Sequence, residues 1–328
     1  MKATAIANAN IALIKYWGKR NKDLILPFNS SISMTCDGLH SKTTVEFGYF
    51  DKDTITINDE ELKKDEKDIM GHIDRIRNMA GIKERAKIVS ESNFPVAAGL
   101  ASSASGLAAL SLAASKAAGL NLKDKELSIL SRLGSGSASR SICEGFAEWH
   151  KGRHDDGSDS FAESIAPKAH WPEFRMLACI VNEGKKPVGS RAGMAQTVAT
   201  SPYYPGWLSS VEDDLNTMRN AIKKKDFTLV GSTAEHNALK MHATMITTKP
   251  SIIYWTPATM DVMQSIMRWR EEGLEGYFTM DAGPQVKVLC LEKDQKEFER
   301  RLKEMECIFR TIVCKPGDGA KIVSDHLF

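Results

Sequence analysis

Pro95-Val-Ala-Ala-Gly-Leu-Ala-Ser-Ser-Ala-Ser-Gly106 runs directly into an Ala/Leu-rich stretch that ends near Leu120. Gly99 and its small neighbours let the backbone turn tightly and approach a ligand closely. The run from Gly106 to Leu120 has the composition of a helix. A side-chain-poor loop entering a helix N-terminus presents unpaired N–H groups and the positive end of the helix dipole, which suit phosphate oxygens. The stretch is not a GxxxxGK[ST] loop, because no lysine follows the glycine at that spacing. Small residues here also serve close helix packing, so this loop alone names no reaction.

The rest of the chain narrows the class. With 44 basic and 42 acidic residues among 328, the net charge is only +2, and the basic residues are scattered. That argues against a general nucleic-acid surface, which relies on clustered phosphate contacts. Lys223-Lys224-Lys225 reads as a solvated helix end. No apolar run is long enough to cross a bilayer and no secretory h-region opens the chain, so a cytoplasmic protein is expected. Six cysteines (Cys36, Cys143, Cys179, Cys290, Cys307, Cys314) show no metal or CxxC spacing. Cys179 and Cys290 lie in apolar runs and are expected in the core as free thiols. His236 and His242 are six apart, which does not place them on one helix face for a shared metal.

Periodicity sets out an alternation of elements. Thr43–Tyr49, Thr54–Asn58 and Ala86–Glu91 read as strands, and Asp68–Met79 and Asp124–Leu133 as helices. Met176–Val181 is a continuous apolar run, as a buried strand requires. The polar break Asn182–Pro187 divides the chain into 1–183 and 184–328. Beyond it, Tyr204–Ile222, Phe227–Met241, Thr256–Trp269 and Lys293–Met305 have helical spacing, and Gly276–Met280, Val286–Leu291 and Ile308–Val313 strand character. Without regular βαβ repetition, the pattern predicts an α+β fold rather than a doubly wound sheet.

Three further segments carry chemistry. Asn10–Lys19 brackets Tyr16 and Trp17 with Lys15 and Lys19; Gly18 favours a loop over a helix, and a strand ending in a turn with snorkelling lysines is the plain alternative. Gly134-Ser-Gly-Ser-Ala-Ser-Arg-Ser141 offers hydroxyls and one guanidinium for a phosphate or carboxylate, or is simply a surface loop. Asp281-Ala-Gly-Pro284 places a carboxylate at a strand end before a tight turn, a common position for turn-capping and for catalysis.

Lys15–Lys19 (KYWGK), Pro95–Ser105 (PVAAGLASSAS), Gly134–Ser141 (GSGSASRS) and Phe278–Pro284 (FTMDAGP) together resemble the diphosphomevalonate decarboxylases of the GHMP kinase superfamily. The connecting pieces Asn29–Ser33, Gly145–Trp149 and Ser190–Met194 also match in order, so the resemblance spans essentially the whole chain. It implies a ribosomal-protein-like N-terminal domain, a ferredoxin-like C-terminal domain and a site in the cleft between them. It also implies ATP-dependent decarboxylation of mevalonate 5-diphosphate to isopentenyl diphosphate, ADP, phosphate and CO2, with Mg2+. Phosphorylation turns the tertiary 3-hydroxyl into a leaving group, and its departure draws electrons from the breaking carboxylate bond.

The resemblance assigns Asp281 as the group that takes or orients the hydroxyl proton, with Lys15 keeping it ionised and Arg140 holding the substrate carboxylate. It assigns substrate contacts to Tyr16, Trp17, Gly18 and Lys19, to Ser135, Gly136, Ser137, Ala138, Ser139 and Arg140, and to Ser190 and Arg191. ATP falls to Ala98, Gly99, Leu100, Ala101, Ser102, Ser103 and Ser105. Related enzymes phosphorylate the 3-hydroxyl without decarboxylating, or use mevalonate 5-phosphate or a 3,5-bisphosphate. Asp281 with Arg140 favours decarboxylation, and the intact Tyr16, Lys19 and GSGSASR favour the diphosphate. A homodimer without nucleic-acid or membrane partners is implied; a non-catalytic RNA-binding module is the distant alternative.

Overall fold

The computed structural model describes residues 1–62, 67–94, 102–182, 184 and 186–328. Among these residues, one sheet of twelve strands runs through both halves of the chain. Its spine is the strand Ser31–Gly48, which pairs antiparallel with Lys2–Ile14, Arg85–Ser92 and Phe146–Trp149. Thr54–Ile57 then adds in parallel to Arg85–Ser92. In the other half, Phe174–Ile180 lies between Val286–Leu291 and Arg310–Pro316, and Tyr277–Met280 forms the edge. The halves join where Lys315 and Pro316 pair with Asp37 and Cys36. Mixed antiparallel pairing with helices packed on the sheet is the α+β architecture that the pattern predicts.

Most periodic segments become the expected elements. Met176–Val181 lies in a strand, Phe174–Ile180, whose every residue is buried. The helix behind the glycine loop begins four residues earlier than expected, at Ser102, and runs to Ala117. Asp226 caps the helix Phe227–Ile246 by accepting from the Leu229 N–H at 3.0 Å. Cys179 and Cys290 are core residues, and Lys223–Lys225 are exposed at a helix end.

The strand Lys2–Ile14 is the main element without a sequence signal. Ala3, Ala5, Ala7 and Ala9 have little strand propensity, but all are buried. Their small side chains let the helix Ser102–Ala117 settle onto this strand and onto Ser31–Gly48. The helix Phe227–Ile246 also packs against Lys2–Ile14. A shared core, including Ile11, Leu13, Ile14, Phe146, Phe174, Met218 and Met241, therefore crosses between the halves.

Candidate active site

The strand Lys2–Ile14 ends by delivering Lys15 into the protein rather than to its surface. Lys15 is only 1% exposed, so it does not snorkel. Its Nζ donates to the Ala12 carbonyl at 2.6 Å and to Asp281 Oδ1 at 2.9 Å. On the other side of the carboxylate, the equally buried Lys287 Nζ lies 3.3 Å from Oδ2. Burial by itself would raise the Asp281 pKa. The two ammonium groups outweigh it and hold the carboxyl far below the usual carboxylate range. Burial pulls Lys15 down to about 8, against the attraction of Asp281.

Arg140 reaches the same cavity from the short helix Ala138–Ser141. Its Nε donates to Asn10 Oδ1 at 3.1 Å and to Ser33 Oγ at 2.9 Å, and Nη1 donates to Ser31 Oγ at 2.5 Å. Burial lowers it to about 10, so the guanidinium stays charged at neutral pH. Asn10, Ser31 and Ser33 are neutral, which leaves the cation available to a carboxylate in the cleft. Asn10 also donates to the Ser137 carbonyl at 2.9 Å and to Ser141 Oγ at 2.7 Å, pinning the GSGSASRS loop to the first strand.

Asn10, Lys15, Arg140 and Asp281 line a cleft of about 630 Å3 between the two halves. Tyr16, Trp17, Lys19, Ser135, Gly136, Ser137, Ser190 and Arg191 face it, together with Ser102 and Ser103. Tyr16 Oη and Trp17 Nε1 are buried there without a hydrogen-bond partner among the described residues, so a polar ligand would satisfy them. Gly136 must be glycine for space: a Cβ would stand 2.6 Å from the Trp149 ring and 3.0 Å from Tyr16. Arg191 Nη2 donates to the Gly134 carbonyl at 2.9 Å, tying the helix Ser190–Thr200 to that loop.

Other expected site residues stand back from the cavity. Gly18 adopts φ +102°, and a Cβ there would lie 1.9 Å from the Tyr204 hydroxyl, so it shapes the turn. Ala138 packs among Ala108, Ala109 and Ile142. Ser139 is buried and its hydroxyl donates to the Gly136 carbonyl at 2.7 Å. Ser105 is buried against Ser41, 2.8 Å between hydroxyls. Ala98, Gly99, Leu100 and Ala101 lie outside the described residues.

Sequence reasoning missed Lys287 and Lys186. Lys186 Nζ donates to Ser190 Oγ at 2.7 Å and to the Ala282 carbonyl at 2.9 Å, on the rim beside Asp281. Burial lowers its pKa. A lysine within the apolar run VKVLCL was the available signal for Lys287; Lys186 sits in a polar break that carried none. The cleft also has an apolar arm including Ile55, Ile57, Ile88 and Leu110.

Chemically, the arrangement offers an ionised carboxylate held between two cations, a buried guanidinium and hydroxyls at a helix N-terminus. Oxygen donors of this kind suit Mg2+, and among the described residues no group of three or more His, Cys, Asp or Glu could hold a metal alone. Such a set fits an ion that rests mainly on phosphate oxygens, with Ser102 and Ser103 as the nearest protein hydroxyls.

Comparison with known proteins points the same way. The diphosphomevalonate decarboxylase-like N-terminal domain matches residues 7–162, and the mevalonate 5-diphosphate decarboxylase C-terminal domain matches residues 176–319. The diphosphomevalonate decarboxylase of Bos taurus is 36% identical over 315 residues, 90% of this chain and 78% of that protein. A solved structure of MDDEF in complex with MVAPP, AMPPCP and magnesium is 43% identical, with a TM-score of 0.92 over 98% of this chain and 99% of that one. The mevalonate diphosphate decarboxylase from Enterococcus faecalis, solved in work on mevalonate diphosphate mediated ATP binding, is 42% identical, with a TM-score of 0.91 over 98% and 99%.

Proposed function

The chain belongs to the diphosphomevalonate decarboxylase family, and on that premise we propose how its residues divide the reaction. The activity is ATP-dependent decarboxylation of mevalonate 5-diphosphate, with ATP and Mg2+ as the family uses them. The 3-hydroxyl oxygen attacks the γ-phosphorus and ADP leaves. The C–O bond then breaks to release phosphate, and the bond to the carboxylate breaks to release CO2. The electron pair of that last bond becomes the alkene of isopentenyl diphosphate.

The observation that carries the residue assignment is the Asp281 carboxylate, held by Lys15 at 2.9 Å and Lys287 at 3.3 Å on the cleft wall. Asp281 orients the 3-hydroxyl and accepts its proton as the new P–O bond forms. Lys15 and Lys287 keep Asp281 ionised in the resting state, so its task is first to aim the oxygen. Arg140 grips the substrate carboxylate until the C–C bond breaks. Lys19, Arg191 and the hydroxyls of Ser135 and Ser137 take the 5-diphosphate, where cations and donors suit a polyanionic group. Ser102 and Ser103, with the loop before them, take the ATP phosphates at the helix N-terminus, and the apolar arm takes the adenine. Mg2+, held by those phosphates and hydroxyls, would offset the phosphate charge.

Two lobes serve this site: 1–183 with the nucleotide loop and most substrate contacts, and 184–328 with Asp281. The family matches on 7–162 and 176–319 support two lobes but favour assigning residues 176–183, with the strand Phe174–Ile180, to the second, so the join falls earlier than 183; limited proteolysis with mass spectrometry of the fragments checks it. The proposal extends to a cytoplasmic homodimer that does not use nucleic acid. Light scattering tests the dimer, cell fractionation the location and a nucleic-acid shift assay the third point.

One assay tests the central reading. The protein is incubated with ATP, Mg2+ and, separately, mevalonate, its 5-phosphate or its 5-diphosphate, while ADP and CO2 are measured. Equimolar ADP and CO2 from the 5-diphosphate is the expected result. ADP without CO2 from every substrate would overturn it.

A further inference from the structure

Lys15 and Asp281 come from opposite ends of the chain, 266 residues apart, yet their charged atoms meet at 2.9 Å. The main chain around each is held by one and the same helix, Phe227–Ile246. Asn237 Oδ1 accepts the Lys15 backbone N–H at 2.8 Å. Five residues further along that helix, His242 Nε2 lies 3.1 Å from the Asp281 carbonyl oxygen. A carbonyl can only accept, so Nε2 carries the proton.

Both side chains are locked and buried. Asn237 is fully buried, and its Nδ2 donates to Asp214 Oδ2 at 2.7 Å, which turns Oδ1 toward Lys15. Lys240 Nζ in turn sits 2.5 Å from the same Asp214 oxygen. His242 is 1% exposed and stacks on Trp255 with ring centres 5.1 Å apart, while Tyr254 meets its ring edge-on. Burial, helped by the nearby Lys15 cation, lowers the imidazole to about 3, so it stays a neutral donor at working pH. Neither residue lines the cleft. Burying an amide and an imidazole with this many fixed partners is costly unless their geometry is used.

We infer that Asn237 and His242 are a pair of positioning residues, with which the helix Phe227–Ile246 sets the separation of Lys15 and Asp281 by holding the main chain at each. The inference rests on the assignment of Asp281 and Lys15 to the phosphoryl-transfer step. It also explains why the ion pair is accurate although its members lie on different halves: one rigid element measures both. Misplacing a reacting group by about 1 Å can cost about 100-fold in rate, so losing either anchor should appear in kcat rather than in ground-state binding.

The test uses steady-state kinetics of the full chain with ATP and mevalonate 5-diphosphate, with kcat taken per native molecule from near-UV circular dichroism. Asn237→Ala and His242→Leu should each lower kcat about 10- to 100-fold, with both KM values within about twofold. His242→Gln keeps an N–H donor and should restore most of the loss. The double variant should lose less than the product of the single losses, because both act on one ion pair. Wild-type kcat in both single variants, failure of His242→Gln to rescue, or fully multiplicative losses would each overturn the inference. Should His242→Leu not fold, Asn237→Ala carries the test through the other anchor. Asp281→Ala runs in parallel: if it retains turnover, the assignment of Asp281 itself fails. If it loses turnover while the anchor variants keep theirs, only the positioning role fails.

Discussion

Lys15 Nζ and Asp281 Oδ1 form a 2.9 Å ion pair in which the lysine is almost wholly enclosed and the aspartate side chain remains 26% exposed toward the cleft. The cation is therefore structural background and the carboxylate is the partner offered to a ligand. That asymmetry is what a group needs if it must stay ionised and yet reach a substrate hydroxyl.

Asp281→Ala should abolish turnover and leave ATP binding nearly intact. Removing a positioned acceptor costs about 100- to 10,000-fold, and the nucleotide phosphates are held elsewhere. Steady-state CO2 release and calorimetric titration with an ATP analogue measure the two quantities. Loss of nucleotide binding would mean that the aspartate is structural.

The pH profile should carry a basic limb near pH 8, where Lys15 loses its proton. Above that pH, Asp281 keeps only Lys287 as a direct partner, and its orientation loosens. Lys15→Arg should move the limb upward, since a guanidinium does not titrate in this range. A profile of kcat/KM from pH 6 to 10 for both proteins decides it, since that quantity reports the free enzyme; an unmoved limb would exclude Lys15 as its source.

Stability should follow opposite signs for the two partners. The Asp281 pKa is depressed by folding, so its contribution is present above the unfolded value of about 4 and fades as pH falls through the folded one. The Lys15 pKa is also depressed, to about 8, so its buried charge costs stability below that pH and the cost is relieved between about 8 and 10.4. The denaturant midpoint of the parent chain should rise relative to that of Lys15→Met between pH 7 and pH 9.5.

Arg140→Lys should lower kcat/KM for the carboxylate substrate about 10- to 100-fold, while KM for ATP stays close to wild type. Lysine keeps the charge but not the planar fork that Ser31, Ser33 and Asn10 hold in place. Full activity in that variant would show that charge alone suffices.

Gly136→Ala should destabilise the protein by about 1–3 kcal/mol and weaken substrate binding together, because the added methyl has nowhere to go between Trp149 and Tyr16. Thermal melting and substrate KM report the two effects. An unchanged melting temperature would mean the loop relaxes freely.

Much of this fold was legible because its elements keep a clean period. Val286–Leu291 was read with its observed bounds, and the helix Asp124–Gly134 to within one residue. The strand Lys2–Ile14 was not legible, since alternating alanines do not announce a strand until Ser31–Gly48 pairs with it. In the site, Asp281, Lys15 and Arg140 were recognisable from their segments. Ser105 and Ser139 looked like ligands because a hydroxyl in a small-residue loop does not reveal which way it points. Lys287 was marked only by a lysine's standing inside an apolar run, and Asn237 and His242 had no motif around them.

By itself, then, the order of residues determined the α+β class, the segments that carry chemistry and, through their combined resemblance, the family. Only the tertiary structure decided that Lys15 is enclosed, that Lys287 stands on the far side of Asp281, and that one helix holds both ends of the ion pair. The physical reason is that charge interactions depend on separation and on the surrounding medium. Both are set by packing between residues hundreds of positions apart, and neither is written in the spacing of any one segment.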